Sequence, residues 1–242
     1  MDFILILVSI IIGYFCGSFP SGLVVVKVAT GQDVRQVGSG RTGGTNAFRA
    51  AGPAAGLLTG LLDGLKGAIA VWIATYLSGG NWFTGAAGNH YAEVLAGLAA
   101  VLGHIYSVFL MERDEQGKLK FKGGAGGGPS VGAAAGLWIG SLLFIMPVGV
   151  FAFFVIGYAS VTTMSFGIMA IIIFSVRYAL GQGPWEHILY GVLVLALQLW
   201  ALRPNIARLI DGTERAHSGW AKRRAAKLAE RRAESDIKQS SP

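Results

Sequence analysis

Charge is distributed along this chain in a way that a water-soluble fold does not tolerate. It is missing from several long apolar runs and crowded into the gaps between them. A helix crossing a hydrocarbon core about 30 Å thick needs roughly 20 consecutive apolar residues, and runs of about that size recur from residue 3 onward. Only 14% of the 242 residues are charged, where a soluble domain carries about a quarter. Most of the 36 glycines lie inside apolar runs or in two tight clusters, as close helix packing and special loops require. The chain is therefore read as an all-α, polytopic transmembrane helix bundle.

Seven spans are expected, at roughly residues 3–26, 54–77, 92–111, 130–146, 148–163, 165–180 and 186–202. The stretch 131–180 is apolar throughout, and its division rests on Pro147 and on a polar patch at 158–165. Two long spans there in place of three short ones would give six in all. Lysine and arginine set the orientation. Four lie between the first two spans, four between the third and fourth, and ten follow Leu202, so that eighteen of the 20 share one side if the span count is odd. The positive-inside rule then puts the N-terminus outside and the C-terminus in the cytoplasm. On this reading residues 1–217 form an integral-membrane domain and 218–242 a basic cytoplasmic tail.

The net charge of +7 is accounted for by topology, so no nucleic-acid partner is invoked. Within the tail, residues 220–238 form either a basic surface helix against anionic headgroups or a solvated extension. The Met-Asp start carries no basic segment, which marks the first run as a permanent span and not a secretory signal. The single cysteine, Cys16, is read as a small buried side chain, with no metal-ligand cluster around it. His90, His187 and His217 fall in flanks and are read as surface residues.

Three polar segments fall on the basic side. The first, residues 37–49, holds Gly38, Ser39, Gly40, Arg41, Gly43, Gly44, Thr45, Asn46 and Arg49. Glycines let successive backbone N–H groups converge on an anion, and arginine adds a planar, permanently charged clamp. The Gly-Lys-Ser/Thr ending of a Walker loop is missing. The second segment, Lys122-Gly123-Gly124-Ala125-Gly126-Gly127-Gly128 before a helix, is a second phosphate cradle. Two cradles on one face imply a ligand with two phosphates, or two phosphorylated ligands. The third, residues 203–214, adds Asn205, Arg208 and Glu214 to what would otherwise be a basic stop-transfer flank. Inside the spans, Asp63 and Lys66 share a helix face three residues apart, as a structural or a catalytic ion pair. His104 stands near the same end, as a base or as a packing hydrogen-bonder. Arg177 is expected to snorkel toward headgroups.

In their order these segments resemble the acyl-phosphate:glycerol-3-phosphate acyltransferase (PlsY) family. The resemblance runs from Gly17-Ser18-Phe19-Pro20-Ser21-Gly22 to Glu214. The first loop is similar to the family's Gly-Ser-Gly-Asn-x-Gly-Ala-Thr-Asn-x-x-Arg, with Arg41 in place of Asn and Gly44 in place of Ala. Asp63-x-x-Lys66-Gly67, Gly103-His104, Phe121-Lys122-Gly123-Gly124-x-Gly126, Tyr158-Ala159-Ser160 and Asn205-Ile206-x-Arg208-Leu209-x-x-Gly212-x-Glu214 match further motifs. The chain departs from the family at Ala125, usually lysine, at Leu202, usually histidine, and in an insertion around residues 113–118.

The resemblance implies acyl transfer from acyl phosphate to the 1-hydroxyl of glycerol 3-phosphate, giving lysophosphatidic acid and phosphate, with membrane lipids as surroundings and no cofactor or metal. It assigns Ser39 and Arg49 to the acyl-phosphate headgroup and carbonyl, helped by Gly38, Gly40, Thr45 and Asn46. Lys122, Gly123, Gly124 and Gly126 would hold glycerol 3-phosphate. Asn205 would order the site, with Arg208, Glu214, Asp63 and Lys66 bracing it. With Leu202 unable to take a proton, His104 or the substrate's own phosphate would act as base. Two other functions fit the same residues: a transporter of a phosphorylated small molecule, and an inactive relative serving as a membrane partner.

Overall fold

The computed structural model describes residues 2–216 and Ala226; the tail helix expected at 220–238 and His217 lie outside the described residues, Ala226 apart. Helix α1 (Asp2–Ser18) breaks at Phe19-Pro20 and continues as α2 (Ser21–Thr30). Helix α3 (Gly44–Leu77) contains a kink at Gly52, whose φ of 85° only glycine adopts readily, and Pro53 then restarts the helix. The expected span 54–77 is the part beyond this kink. Helix α4 (His90–Ile105) leads to a short hairpin, β1 (Met111–Arg113) with β2 (Leu119–Phe121), paired antiparallel with Glu112 opposite Lys120. The 113–118 insertion is the tip of this hairpin.

Helices α5 (Gly127–Leu137), α6 (Leu142–Phe151), α7 (Ala159–Ala179) and α8 (Glu186–Ile210) complete the bundle. Among the described residues, six helical stretches are long and apolar enough to cross a membrane: Phe3–Thr30, Gly44–Leu77, His90–Leu110, Ile139–Ile156, Ala159–Ala179 and Glu186–Ile210. The remaining helix, α5, has 11 residues, about 16 Å of rise, and reaches only part of the way across a hydrocarbon core.

Three expected boundaries move. The break expected at 164 falls at Gly157-Tyr158, and α7 runs unbroken through Ser165. Pro147 does not end a helix; it lies inside α6, and the break before it falls at Trp138 instead. A helix within a membrane bundle tolerates an interior proline because neighbours and local 3-10 or π turns satisfy the freed backbone. Here a 3-10 turn (Ile139–Ser141) precedes α6 and a π turn (Ala152–Ile156) follows it. Likewise α8 runs on through Pro204 to Ile210, which puts Asn205 and Arg208 on a helix and not in a flank.

Close packing by small residues holds these helices together, as expected where lipid removes the hydrophobic drive between them. A Cβ on Gly17 would lie 1.9 Å from the Ala100 carbonyl of α4, and one on Gly132 of α5 would lie 1.7 Å from that of Gly64 in α3. Both contacts exclude any larger residue. The small residues of α5 let it sit buried in the centre, where Tyr190 donates to the Ser130 carbonyl at 2.7 Å and Gln198 to the Ser130 hydroxyl at 2.9 Å. Around it Val71, Val101, Ile145, Phe174 and Val194 form the main apolar core. Large apolar side chains such as Leu57, Leu143 and Phe154 point outward. His187 is buried, against its reading as a surface residue, and its ring lies 5.8 Å from that of His90.

Candidate active site

One end of the bundle gathers all three polar segments. The first loop leaves α2 at Gly31 and passes through a 3-10 turn (Val34–Gln36) before entering α3. Asn46, buried in the first turn of α3, holds its shape. Its amide donates to the carbonyls of Val34, Val37 and Arg41 at 2.9, 2.8 and 2.8 Å, and its oxygen accepts from the Ser39 N–H at 3.1 Å. Asn46 therefore commits both amide hydrogens, shared among three carbonyls, and one oxygen lone pair to holding the loop. Gly38 must be glycine here: its φ is +55°, and a Cβ would lie 2.4 Å from the Asn46 oxygen. Ser39 is left exposed at the tip, with Gly40 and Thr45 half-buried beside it and the Arg49 side chain alongside Gly38.

The glycine segment docks onto this loop. The Thr42 N–H reaches the Gly123 carbonyl at 3.4 Å, and the Arg41 guanidinium donates to the Gly124 carbonyl at 3.2 Å. Arg41 continues across to α8, donating to the Ala201 carbonyl at 2.7 Å and to the Asn205 side-chain oxygen at 3.2 Å. Asn205 in turn donates to Glu214 at 2.8 Å, and Arg208 donates through Nε to the other Glu214 oxygen at 3.0 Å. Glu214 thus has both oxygens engaged. An antiparallel bridge between Tyr158 and Ala216 secures the segment after α8 to the start of α7.

These residues surround a cavity of about 430 Å³ lined by Ser39, Arg41, Pro204, Asn205, Arg208, Thr213 and Arg215. Three of the seven are arginines, and the braced Glu214 is the carboxylate nearest them. Burial pushes the Arg41 pKa below the ordinary arginine value, and the neighbouring Arg208 charge lowers it further. Both penalties fall when an anion enters. The lining presents an excess of positive charge of the kind that suits an anion.

Behind the Gly124 backbone lies a buried network. Lys66 pairs with Asp63 at 2.8 Å, donates to the Phe19 carbonyl at 3.0 Å, and lies 2.9 Å from His104 Nδ1. An ammonium only donates, so Nδ1 accepts and the proton of a neutral imidazole sits on Nε2. That nitrogen faces Gly124, where a Cβ would lie 1.9 Å from it. Gly124 also donates its N–H to the His104 carbonyl at 3.0 Å. In this geometry His104 packs against the glycine segment, with Nδ1 engaged by Lys66 and Nε2 facing Gly124.

Lys122 is exposed and paired with Glu112 of the hairpin at 2.7 Å, and Arg35 also pairs with Glu112. Gly123 packs against the His104 and Ile105 carbonyls, and Gly126 caps α5 with a φ of +86°. The fold brings Ser39, Asn205 and Arg208 to the cavity wall together with Arg41 of the first cradle, and bonds Gly124 to Arg41 and Glu214 to Asn205. Thr213 and Arg215 also line the cavity, and nothing in the sequence marks where they fold back.

Fold and site together define a polytopic membrane protein with an arginine-lined polar cavity at one end of its helix bundle. The family described as glycerol-3-phosphate acyltransferase matches residues 7–212. Curated glycerol-3-phosphate acyltransferases from Thermus thermophilus and a Bradyrhizobium species are 34% and 38% identical over 208 residues, spanning 86% of this chain and 92% of each relative. The crystal structure of PlsY (YgiH), an integral membrane glycerol 3-phosphate acyltransferase, in its glycerol 3-phosphate form superposes with a TM-score of 0.70 at 31% identity. It covers 88% of this chain and 95% of that one. The lysophosphatidic acid form gives 0.67 at 30%, with 87% and 94% covered. The chain belongs to the glycerol-3-phosphate acyltransferase family and is an enzyme of it.

Proposed function

We propose that the protein transfers an acyl group from acyl phosphate to the 1-hydroxyl of glycerol 3-phosphate, at the cytoplasmic face of the bacterial inner membrane. The observation that carries this reading is Arg41, which joins both glycine segments to Asn205 over an arginine-lined cavity. The usual lysine is replaced by Ala125, but Arg41 bonds the carbonyl of the adjacent Gly124 and so supplies a cation at the same place. The orientation follows from the basic bias, with α5 completing a seventh, shortened crossing.

In the reaction, the 1-hydroxyl oxygen bonds to the acyl carbonyl carbon, the bond from that carbon to the phosphate oxygen breaks, and phosphate leaves with the electron pair. Acyl phosphate is already activated, so no covalent enzyme nucleophile is needed. Ser39 and Arg49 hold the acyl-phosphate group, while Arg41, seated on the Gly124 carbonyl of the glycine segment, holds glycerol 3-phosphate. Such a site works by positioning and by fixed charge. The hydroxyl proton passes to the phosphate of glycerol 3-phosphate, whose second pKa is about 6, because Leu202 cannot accept it and His104 is capped by Lys66.

Purified protein given acyl phosphate and labelled glycerol 3-phosphate is expected to form lysophosphatidic acid and phosphate in equal amounts. Arg49→Ala is expected to abolish this in a folded protein. Uptake of label into sealed vesicles without product would replace the proposal by a transporter, and neither outcome by an inactive relative.

A further inference from the structure

A second polar cluster lies at the other end of the bundle, 18 positions before Asn205 on α8 and so about 27 Å along the helix. Asn89 caps α4 by accepting from the Ala92 N–H at 3.1 Å, which fixes His90 and Glu93 one turn apart on the same face. His90 Nδ1 meets Glu93 Oε2 at 3.0 Å. The other Glu93 oxygen accepts from the Thr75 hydroxyl of α3 at 2.9 Å. His187 enters from α8, its ring edge-on to His90 at 5.8 Å and to Phe174 at 5.1 Å. One ligand atom from each of His90, Glu93 and His187 lies within 4.8 Å of the other two.

Two features set this cluster apart from an ordinary ion pair. His187 is only 5% exposed, yet neither of its ring nitrogens has a hydrogen-bond partner. Leaving a buried polar group unsatisfied is costly, and native structures rarely do it without reason. The loop also makes room for the carboxylate: a Cβ on Gly88 would lie 2.9 Å from Glu93 Oε1 and 2.3 Å from the Ser78 hydroxyl.

We propose that His90, Glu93 and His187 bind one divalent transition-metal ion of the zinc class. Two imidazoles and one carboxylate are ligands such an ion prefers, with a fourth position left for water. Bonds of about 2.1 Å put tetrahedral ligands roughly 3.4 Å apart. The His90–Glu93 pair is already near that separation, and a movement of about 1 Å by the His187 side chain supplies the third ligand. Thr75 orients the carboxylate from behind, as outer partners of metal ligands do. The nearby Arg177 guanidinium is engaged elsewhere, over the Trp138 ring and on the Gln182 carbonyl. The ion fastens α3, α4 and α8 together at the end away from the cavity.

The full-length protein, stripped with chelator and held in lipid nanodiscs, is titrated with Co²⁺ and then Zn²⁺. The expected result is one Co²⁺ per chain with the intense visible absorption of a four-coordinate site, displaced by Zn²⁺, and a metal-dependent rise in melting temperature. His90→Asn and His187→Phe are each expected to weaken binding more than about 100-fold, beyond what loss of an outer partner does. His187→Phe retains the aromatic packing; should it fail to fold, the half-exposed His90→Asn decides alone. Absence of saturable binding at micromolar metal overturns the proposal. So does binding that His90→Asn leaves unchanged, which would place the ion on another of the 4 histidines.

Discussion

Arg41 and Asn205, 164 positions apart in the chain, share a hydrogen bond of 3.2 Å. That bond links the loop after α2 to the last turns of α8, and Asn205 passes the link on to Glu214. Asn205→Ala leaves the Arg41 and Glu214 groups each short of a partner. The expected loss is about 1–3 kcal/mol of stability and more than tenfold in kcat. Asn205→Asp has the same shape but cannot donate to Glu214, and like charges then face each other. It is expected to be no better than the alanine variant when melting and turnover are measured together.

Arg41 standing in for the charge absent at position 125 makes a swap informative. Ala125→Lys in the Arg41→Ala background is expected to recover at least tenfold of the lost transfer, read as kcat/KM for glycerol 3-phosphate. The same substitution beside an intact Arg41 is expected to bring no gain, because a further cation would crowd Arg41 and Arg208.

Proton transfer to the substrate phosphate has its own signature. The acid limb of the pH–rate profile is expected near pH 6, the substrate's second pKa, with activity falling as pH drops and that phosphate is protonated. His104→Gln is expected to lower kcat yet leave the position of the limb unchanged. A phosphonate analogue of glycerol 3-phosphate with a higher pKa is expected to move the limb upward in both proteins. A limb that vanishes in His104→Gln would return the base to that residue.

The backbone approach at Gly124 predicts a steric penalty. A methyl there would lie 1.9 Å from His104 Nε2, so Gly124→Ala must displace the segment from the Lys66–His104 network. Overpacking of this kind costs about 1–3 kcal/mol. The expected readout is a lower melting temperature with a raised KM for glycerol 3-phosphate. Gly43→Ala, with open space around it, is expected to be mild by comparison.

What could be read from the sequence follows a physical division. Apolar runs report the solvent around a helix, so the bundle and its first three spans were legible. Glycine with arginine reports backbone freedom beside charge, so the two glycine segments that dock on each other were legible too. Pro147 misled because its meaning depends on neighbours: a lipid-embedded bundle absorbs an interior proline, and the chain turns at Trp138 instead. Pro204 misled for the same reason, hiding that α8 carries Asn205 and Arg208. The Glu112 partner of Lys122 depends on how the hairpin folds back, which no local pattern announces. His90 and His187 are far apart in the chain, and only folding shows that they meet. Long-range side-chain partnership is a property of packing, and no local pattern encodes it.

Arg41 is the group on which the convergence of the two cradles turns, so its removal is the most direct test. Transfer from acyl phosphate to labelled glycerol 3-phosphate is measured for the parent and for Arg41→Ala, with melting temperatures taken on the same samples. The account predicts a fall of more than about 100-fold, the size seen when one preorganised donor is removed, with folding retained. Arg41→Lys is expected to restore little, since a point charge cannot span two carbonyls and an amide. An Arg41→Ala protein that forms lysophosphatidic acid as fast as the parent would contradict the account.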